Sequence, residues 1–118
     1  MKKKFIQEDI FNSFCWFVWD CDLKELQKWV EKKFNYRIRI SLGWCGGKTI
    51  YIEDEQKGTQ NWIIWVNDKK NIVSLAHELI HFCWYIFKYN EMVLSNDNEE
   101  VFTRLHTYYF EKCLKYLK

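Results

Sequence analysis

Apolar and polar residues alternate along this chain with two different periods, and the period divides it into elements. In "DLKELQKWVEKKF", Leu23, Leu26, Trp29 or Val30, and Phe34 recur at helical spacing with Lys and Glu between them, which predicts an amphipathic helix. Asp22 is placed to cap it, and it ends near Asn35. "YRIRISLGW" alternates instead, Tyr36, Ile38, Ile40 and Leu42 against Arg37, Arg39 and Ser41, as in a strand with one wet face. "CGGK" reads as a turn whose paired glycines supply positive φ, and "KTIYIEDE" as the return strand of a hairpin. After the loop "EQKGTQ", the unbroken apolar run in "NWIIWVN" predicts a strand covered on both faces.

Nearer the start, the aromatic-rich "FNSFCWFVWDC" holds a strand around Phe14 to Trp19. Two helices close the chain. One runs from about Ile72 to Tyr89, with Leu75, Leu79, Phe82 and Ile86 along one stripe. The other runs from about Asn98 to Lys118, with Phe102, Leu105, Tyr109 and Cys113 on its apolar side. Ser95, Asn96 and Asp97 are competent N-caps for it. The order strand, helix, three strands, helix, helix predicts an α+β fold: a small, mostly antiparallel sheet packed on the last two helices.

Composition narrows this picture. A chain of 118 residues suits one domain spanning its whole length, and 48% hydrophobic with 19% aromatic residues is ample for a core. A net charge of +2 with interspersed signs argues against nucleic acid or an anionic membrane as partner. The one basic run, Lys2-Lys3-Lys4, reads as a solvated tail. Gln7, Glu8 and Asp9 interrupt the apolar stretch behind it before it reaches signal-peptide length, and no apolar run approaches a membrane span. The expected location is the cytoplasm. Five cysteines without a CxxC pair speak against a disulfide framework or a cysteine zinc site. They read as reduced, buried small hydrophobes, so any metal must use His and carboxylates.

The candidate chemistry lies in "SLAHELIHFCWYIF", from Ser74 to Phe87. His77 and His81, four residues apart, share one face of a helix and can converge on one ion. Glu78 is rotated about 100° from His77; it is no third ligand of that pair but can accept a proton from a metal-bound water. This is the logic of HExxH as a unit. With three His in the chain, the pattern arises by accident with probability of roughly 0.004. The opposing reading, a core helix with satisfied histidines, must bury a Glu beside two His to no purpose.

A catalytic zinc needs a third protein ligand and an open position. The extended motif with Gly and a third His is excluded, because Trp84 and Phe87 stand in those places. A glutamate from the following helix remains. Glu99 and Glu100 follow His81 by 18 and 19 positions, and antiparallel packing of the two helices would bring them near. On a helical wheel Glu99 flanks the apolar stripe, whereas Glu100 is in phase with Arg104 and Glu111 but also with the small Thr103 and Thr107. Either can serve, and a glutamate at a helix N-terminus is also favoured by the dipole alone.

From about Tyr51 to Phe110 the chain resembles a family of short, phage-encoded zinc metallopeptidases of gluzincin (HExxH…E) type. The resemblance rests on "IIWV", "LAHELIH" and "NEEVFTRLHTYY". It implies a minimal zincin-like domain, a Zn²⁺ cofactor, and Glu100 as third ligand with Glu99 the alternate, Thr103 and Thr107 being the small positions that follow. Phe82 and Arg104 depart from the family pattern, which has a small residue and an aromatic there, and neither removes a ligand.

The expected function is therefore zinc-dependent peptide-bond hydrolysis in a peptide or protein substrate, with His77, His81 and Glu100 on the metal and Glu78 as general base. Tyr108 and His106 are the nearest candidates in sequence for an oxyanion donor, although a core Tyr and a surface His explain them as well. The alternative is a non-catalytic zincin-fold binding protein, such as a phage factor acting on a host protein in its cytoplasm; a purely structural site has no need of Glu78. A third reading, a nucleic-acid module stacking bases on its aromatics, conflicts with the near-neutral charge.

Overall fold

Two strands of this protein are apolar on both faces, and the architecture follows from covering them. The computed structural model describes residues 1–38, 46–54 and 58–118. Among these the elements are β1 (Lys2–Gln7), β2 (Phe14–Trp19), α1 (Leu23–Phe34), β3 (Gly47–Asp54), β4 (Thr59–Val66), α2 (Ile72–Tyr89) and α3 (Glu99–Tyr116). The described strands form one mixed sheet in the order β1-β2-β4-β3. β2 and β4 are parallel, and β1 and β3 pair antiparallel with their neighbours.

Pleat alternation sends Cys15, Phe17 and Trp19 of β2, with Trp62, Ile64 and Val66 of β4, to the face covered by α2 and α3. Val18, Ile63 and Trp65 point the other way, onto Leu26 and Val30 of α1. The result is an α+β fold of three layers: α1, the sheet, then the α2–α3 pair. Antiparallel packing of that pair is visible in its ring contacts. Phe102 near the start of α3 meets Phe87 near the end of α2, while Tyr109 meets Phe82 further back.

The extents of β2 and α2 and the caps of α1 agree with the periodicity. Asp22 Oδ1 accepts from the Glu25 N–H at 2.9 Å, and Asn35 closes α1 in the left-handed region at φ 52°, where Asn is tolerated. The cap of α3 differs from expectation. Its N-cap residue is Asn98, not Ser95, Asn96 or Asp97. The Asn98 side chain turns back into the preceding loop, accepting from the Ser95 N–H and donating to the Val93 carbonyl. β4 begins at Thr59, two residues before the predicted strand. The expected strand from Tyr36 to Trp44 falls mainly on residues 39–45, outside those described, as does its hairpin with β3; the described Tyr36–Ile38 carry no strand.

Lys2-Lys3-Lys4 is not a tail but part of edge strand β1, paired residue for residue with β2 from Lys2↔Trp19 to Gln7↔Phe14. Its lysines do face solvent, and Lys at an edge discourages pairing with another chain. Two of them also lie over rings: Lys3 Nζ is 5.8 Å from the Trp29 ring centre and Lys4 Nζ 5.5 Å from that of Tyr116, so their stems cover apolar surface.

Glu8, which looked like a polar interruption, is buried and organises the β1–β2 turn. Its carboxylate accepts from the backbone N–H groups of Ile10, Phe11 and Ser13 and from the Ser13 hydroxyl. That hydroxyl in turn lies 2.8 Å from the buried Tyr109 hydroxyl of α3. Cys15, Cys21, Cys83 and Cys113 are buried free thiols, and desolvation pushes the Cys83 thiol up to about 12, with Glu8 adding to the shift, as inert cysteines require; Cys45 lies outside the described residues. Among the described residues no helix is long and apolar enough to cross a membrane.

Glu8→Ala is expected to lower stability by about 2–4 kcal/mol in a urea titration, because it strands several part-buried donors at once. A loss below about 0.5 kcal/mol, the range of an ordinary surface substitution, would show that the turn does not rely on this carboxylate.

Candidate functional site

The site is built where the start of β3 lies against the first turns of α2. Asn71 caps α2, its Oδ1 accepting from the Ser74 N–H at 3.2 Å. Its Nδ2 donates to the Gly46 carbonyl at 3.2 Å and to Asn67 Oδ1 at 3.0 Å. The side chain that starts the helix thus also ties down the strand. A Cβ on Gly46 would collide with the Asn71 amide, and one on Gly47 would come within 3.0 Å of the Trp65 carbonyl and 3.3 Å of Glu78 Cγ. The glycine pair was expected to supply positive φ for a turn. The structure corrects this: neither glycine adopts it, whereas Gly58 does, at φ 64°. What Gly46 and Gly47 provide is the absence of a side chain at a close approach.

Because Ile50 and Ile52 of β3 face α1, Thr49 faces α2. Its hydroxyl lies 2.8 Å from the Glu78 carbonyl and 3.0 Å from Glu78 Oε1. Glu78 is only 8% exposed, so its carboxyl needs such a partner. A hydroxyl has one proton and two lone pairs. Toward an ionised Glu78 it donates to Oε1. Toward a protonated Glu78 it accepts the carboxylic proton and turns its own to the main-chain carbonyl. The contact therefore holds the side chain in either protonation state.

His77 and His81 stand one turn apart on the exposed side of this contact. Their Nε2 atoms converge to 3.1 Å, with ring centres 4.8 Å apart. Gly47, Lys48, Thr49 and Tyr85 complete the walls of a cavity of about 240 Å³ around the motif residues. Two imidazole nitrogens on one tetrahedral zinc lie about 3.3 Å from each other, given Zn–N bonds of about 2.0 Å. The pair fits two ligand positions; without a cation, one neutral ring donates to the other across the same gap.

The third expected ligand is not beside them. Glu100 Oε1 pairs with Arg104 Nε at 3.0 Å, and its side chain is 74% exposed. Glu99 is exposed as well. Among the described residues no three His, Cys, Asp or Glu are grouped so as to hold a metal. The reason is the flank on which α3 packs. His106 Nε2 lies 3.1 Å from the Ala76 carbonyl, and Phe102 meets Phe87, whereas Glu78 and Tyr85 face β3. His77 follows Ala76 directly and points about 100° away from it around the helix. The helices do pack antiparallel, but α3 approaches the other side of α2. His106 serves as a tie between helices, and the Tyr108 hydroxyl donates to the Gln7 carbonyl at 2.7 Å. The Tyr108 hydroxyl and the His106 Nε2 of the two candidate oxyanion residues are thus engaged with backbone.

Thr49, Lys48 and Tyr85 are the site residues that motif reasoning missed. Two signals were present: the alternation of Thr49 with Ile50 and Ile52, and the four-residue step from His81 to Tyr85. Comparison with protein-family models, with curated proteins and with solved structures finds no match.

Thr49→Val keeps the shape and removes the hydroxyl. It is expected to cost about 1–3 kcal/mol in chemical denaturation, and Glu78→Gln in the same background should recover part of that loss. If Thr49→Val is neutral, Glu78 does not depend on this contact.

Proposed function

We propose that this protein is a zinc-dependent peptide-bond hydrolase on a zincin-like fold, with His77 and His81 as metal ligands and Glu78 as general base. One observation carries the reading: two Nε2 atoms converge to 3.1 Å in the same cavity as a buried carboxyl. When bound, zinc supplies Lewis acidity, polarising a carbonyl and acidifying water. The remaining work belongs to the chain. Glu78 takes the proton from the attacking water and returns it to the leaving amine. Thr49 keeps the carboxyl in place through both states. Tyr85 lines the same cavity, and a phenol is the kind of group that meets a carbonyl oxygen as it gains charge.

The second reading is a binding protein that keeps this architecture without turnover, such as a phage factor directed at a host protein. The position of Glu100 favours it, because α3 packs on the flank of α2 away from the histidines and carries the expected third ligand with it. Glu78 favours hydrolysis. A buried carboxyl is costly to keep, and beside two histidines it stands where a proton from a metal-bound water can be taken up.

Zinc-loaded wild-type protein is expected to cleave members of a broad peptide library, with Glu78→Gln retaining zinc and losing about 10²–10⁴-fold in rate. Zinc uptake without any cleavage would leave the binding reading. In a zinc titration, His77→Ala and His81→Ala should each weaken binding by at least about tenfold, whereas Glu100→Ala changes it by less than about twofold. Equal losses at Glu100 and His81 would mean that α3 moves to close the site.

A further inference from the structure

His77, His81, Tyr85 and Tyr89 follow one another at four-residue steps and so form a single ridge along α2. Twelve residues of helix span about 18 Å, the length of about five residues of extended peptide. Tyr85 is shared by two concavities on this ridge: the histidine cavity and a larger groove of about 490 Å³. The groove is walled by Tyr51, Trp62, Tyr85 and Tyr89, with Lys88 and Glu91 adding one charge of each sign.

The aromatic wall is built in advance of any ligand. Trp62 lies 4.5 Å from Tyr51 and 5.1 Å from Tyr85 between ring centres, and the Tyr51 and Tyr89 hydroxyls are 3.3 Å apart. Yet Tyr85 and Tyr89 remain 37% and 50% exposed. Rigid rings held partly in water favour an apolar guest. One charge of each sign does not suit an anionic surface or a polyanion. A face for an independent partner would have no reason to share a wall with the histidine cavity.

We infer that this groove is a specificity subsite, taking a large apolar or aromatic side chain of an extended peptide that runs along the α2 ridge past His77 and His81. The inference rests on the peptide-hydrolysis reading. The centre of the Tyr85–Tyr89 pair lies eight residues beyond that of the histidine pair, or about 12 Å along the helix. That distance sets the captured side chain three or four residues from the bond at the histidines.

The test uses Glu78→Gln protein with zinc and two fluorescein-labelled octapeptides that differ only by one Phe replaced with Ala. Fluorescence anisotropy should show the Phe peptide binding about tenfold or more tightly, as expected for burying one ring. Tyr89→Ala should bring the ratio close to one with an unchanged circular dichroism spectrum, and Tyr89→Phe should preserve it. Absence of discrimination, whether both peptides bind or neither does, overturns the inference, as does a ratio that survives Tyr89→Ala. With the wild-type enzyme, mass spectrometry should place the cut three or four residues from the Phe, and a cut unrelated to the Phe position also overturns it. Cleavage without discrimination removes the subsite and leaves hydrolysis standing. Discrimination without cleavage removes hydrolysis and leaves a peptide groove.

Discussion

The contact between strand β3 and helix α2 sets the geometry of everything that could be functional here. It is unusually close because Gly46 and Gly47 carry no side chains toward α2, and because Asn71 binds the strand with the same amide that caps the helix. Closeness is what lets a short side chain, Thr49, reach both the carbonyl and the carboxyl of Glu78. Once Glu78 is fixed inward against β3, helical geometry fixes His77 and His81 at the outer lip of the same flank. The rotation of α2 about its axis is therefore locked from two sides: by the apolar stripe of Leu75, Leu79, Phe82 and Ile86 beneath it, and by one polar contact at its edge.

The same rotation divides labour between the flanks of α2. One flank meets β3 and carries the motif and the tyrosine ridge. The other meets α3 through Ala76 and Phe87. α3 is itself anchored at the far side of the molecule, where Tyr108 holds the Gln7 carbonyl and Tyr109 meets Ser13 of the β1–β2 turn. A helix tied to the sheet in this way is held on its own flank, and its first-turn glutamates stay with it. Bringing Glu100 to the histidines would require breaking its pair with Arg104 and sliding α3 around α2.

Much of this was legible in the residues, and the parts that were not share a cause. Elements whose signal is local came through: the strand Phe14–Trp19, the helix Ile72–Tyr89, and α1 with its Asp22 and Asn35 caps. β4 read correctly as a strand covered on both faces because its apolar run has no alternation to break. β1 was missed because three lysines at an edge strand look the same as three lysines in a tail; only pairing with Trp19, Val18 and Phe17 distinguishes them. The histidine pair was legible because four residues on a helix is a local distance. The position of Glu100 was not, since spacing in sequence gives how far along the next helix a residue lies but not which flank that helix will choose. Thr49 belongs to the same class, being a contact between elements far apart in the chain.

The chain buries two glutamates among its described residues, and they differ in the number and kind of their partners. Glu8 is enclosed by three backbone N–H groups and a hydroxyl. Three of these partners are main-chain N–H groups of the turn, which can only donate. Such a carboxylate is fixed as a strut. Glu78 meets a hydroxyl that can donate or accept, and it borders a cavity shared with two imidazoles. Low exposure describes both residues, so burial alone would not tell them apart. The kind of partner does, and a hydroxyl able to donate or accept is what the proposed proton transfer by Glu78 calls for.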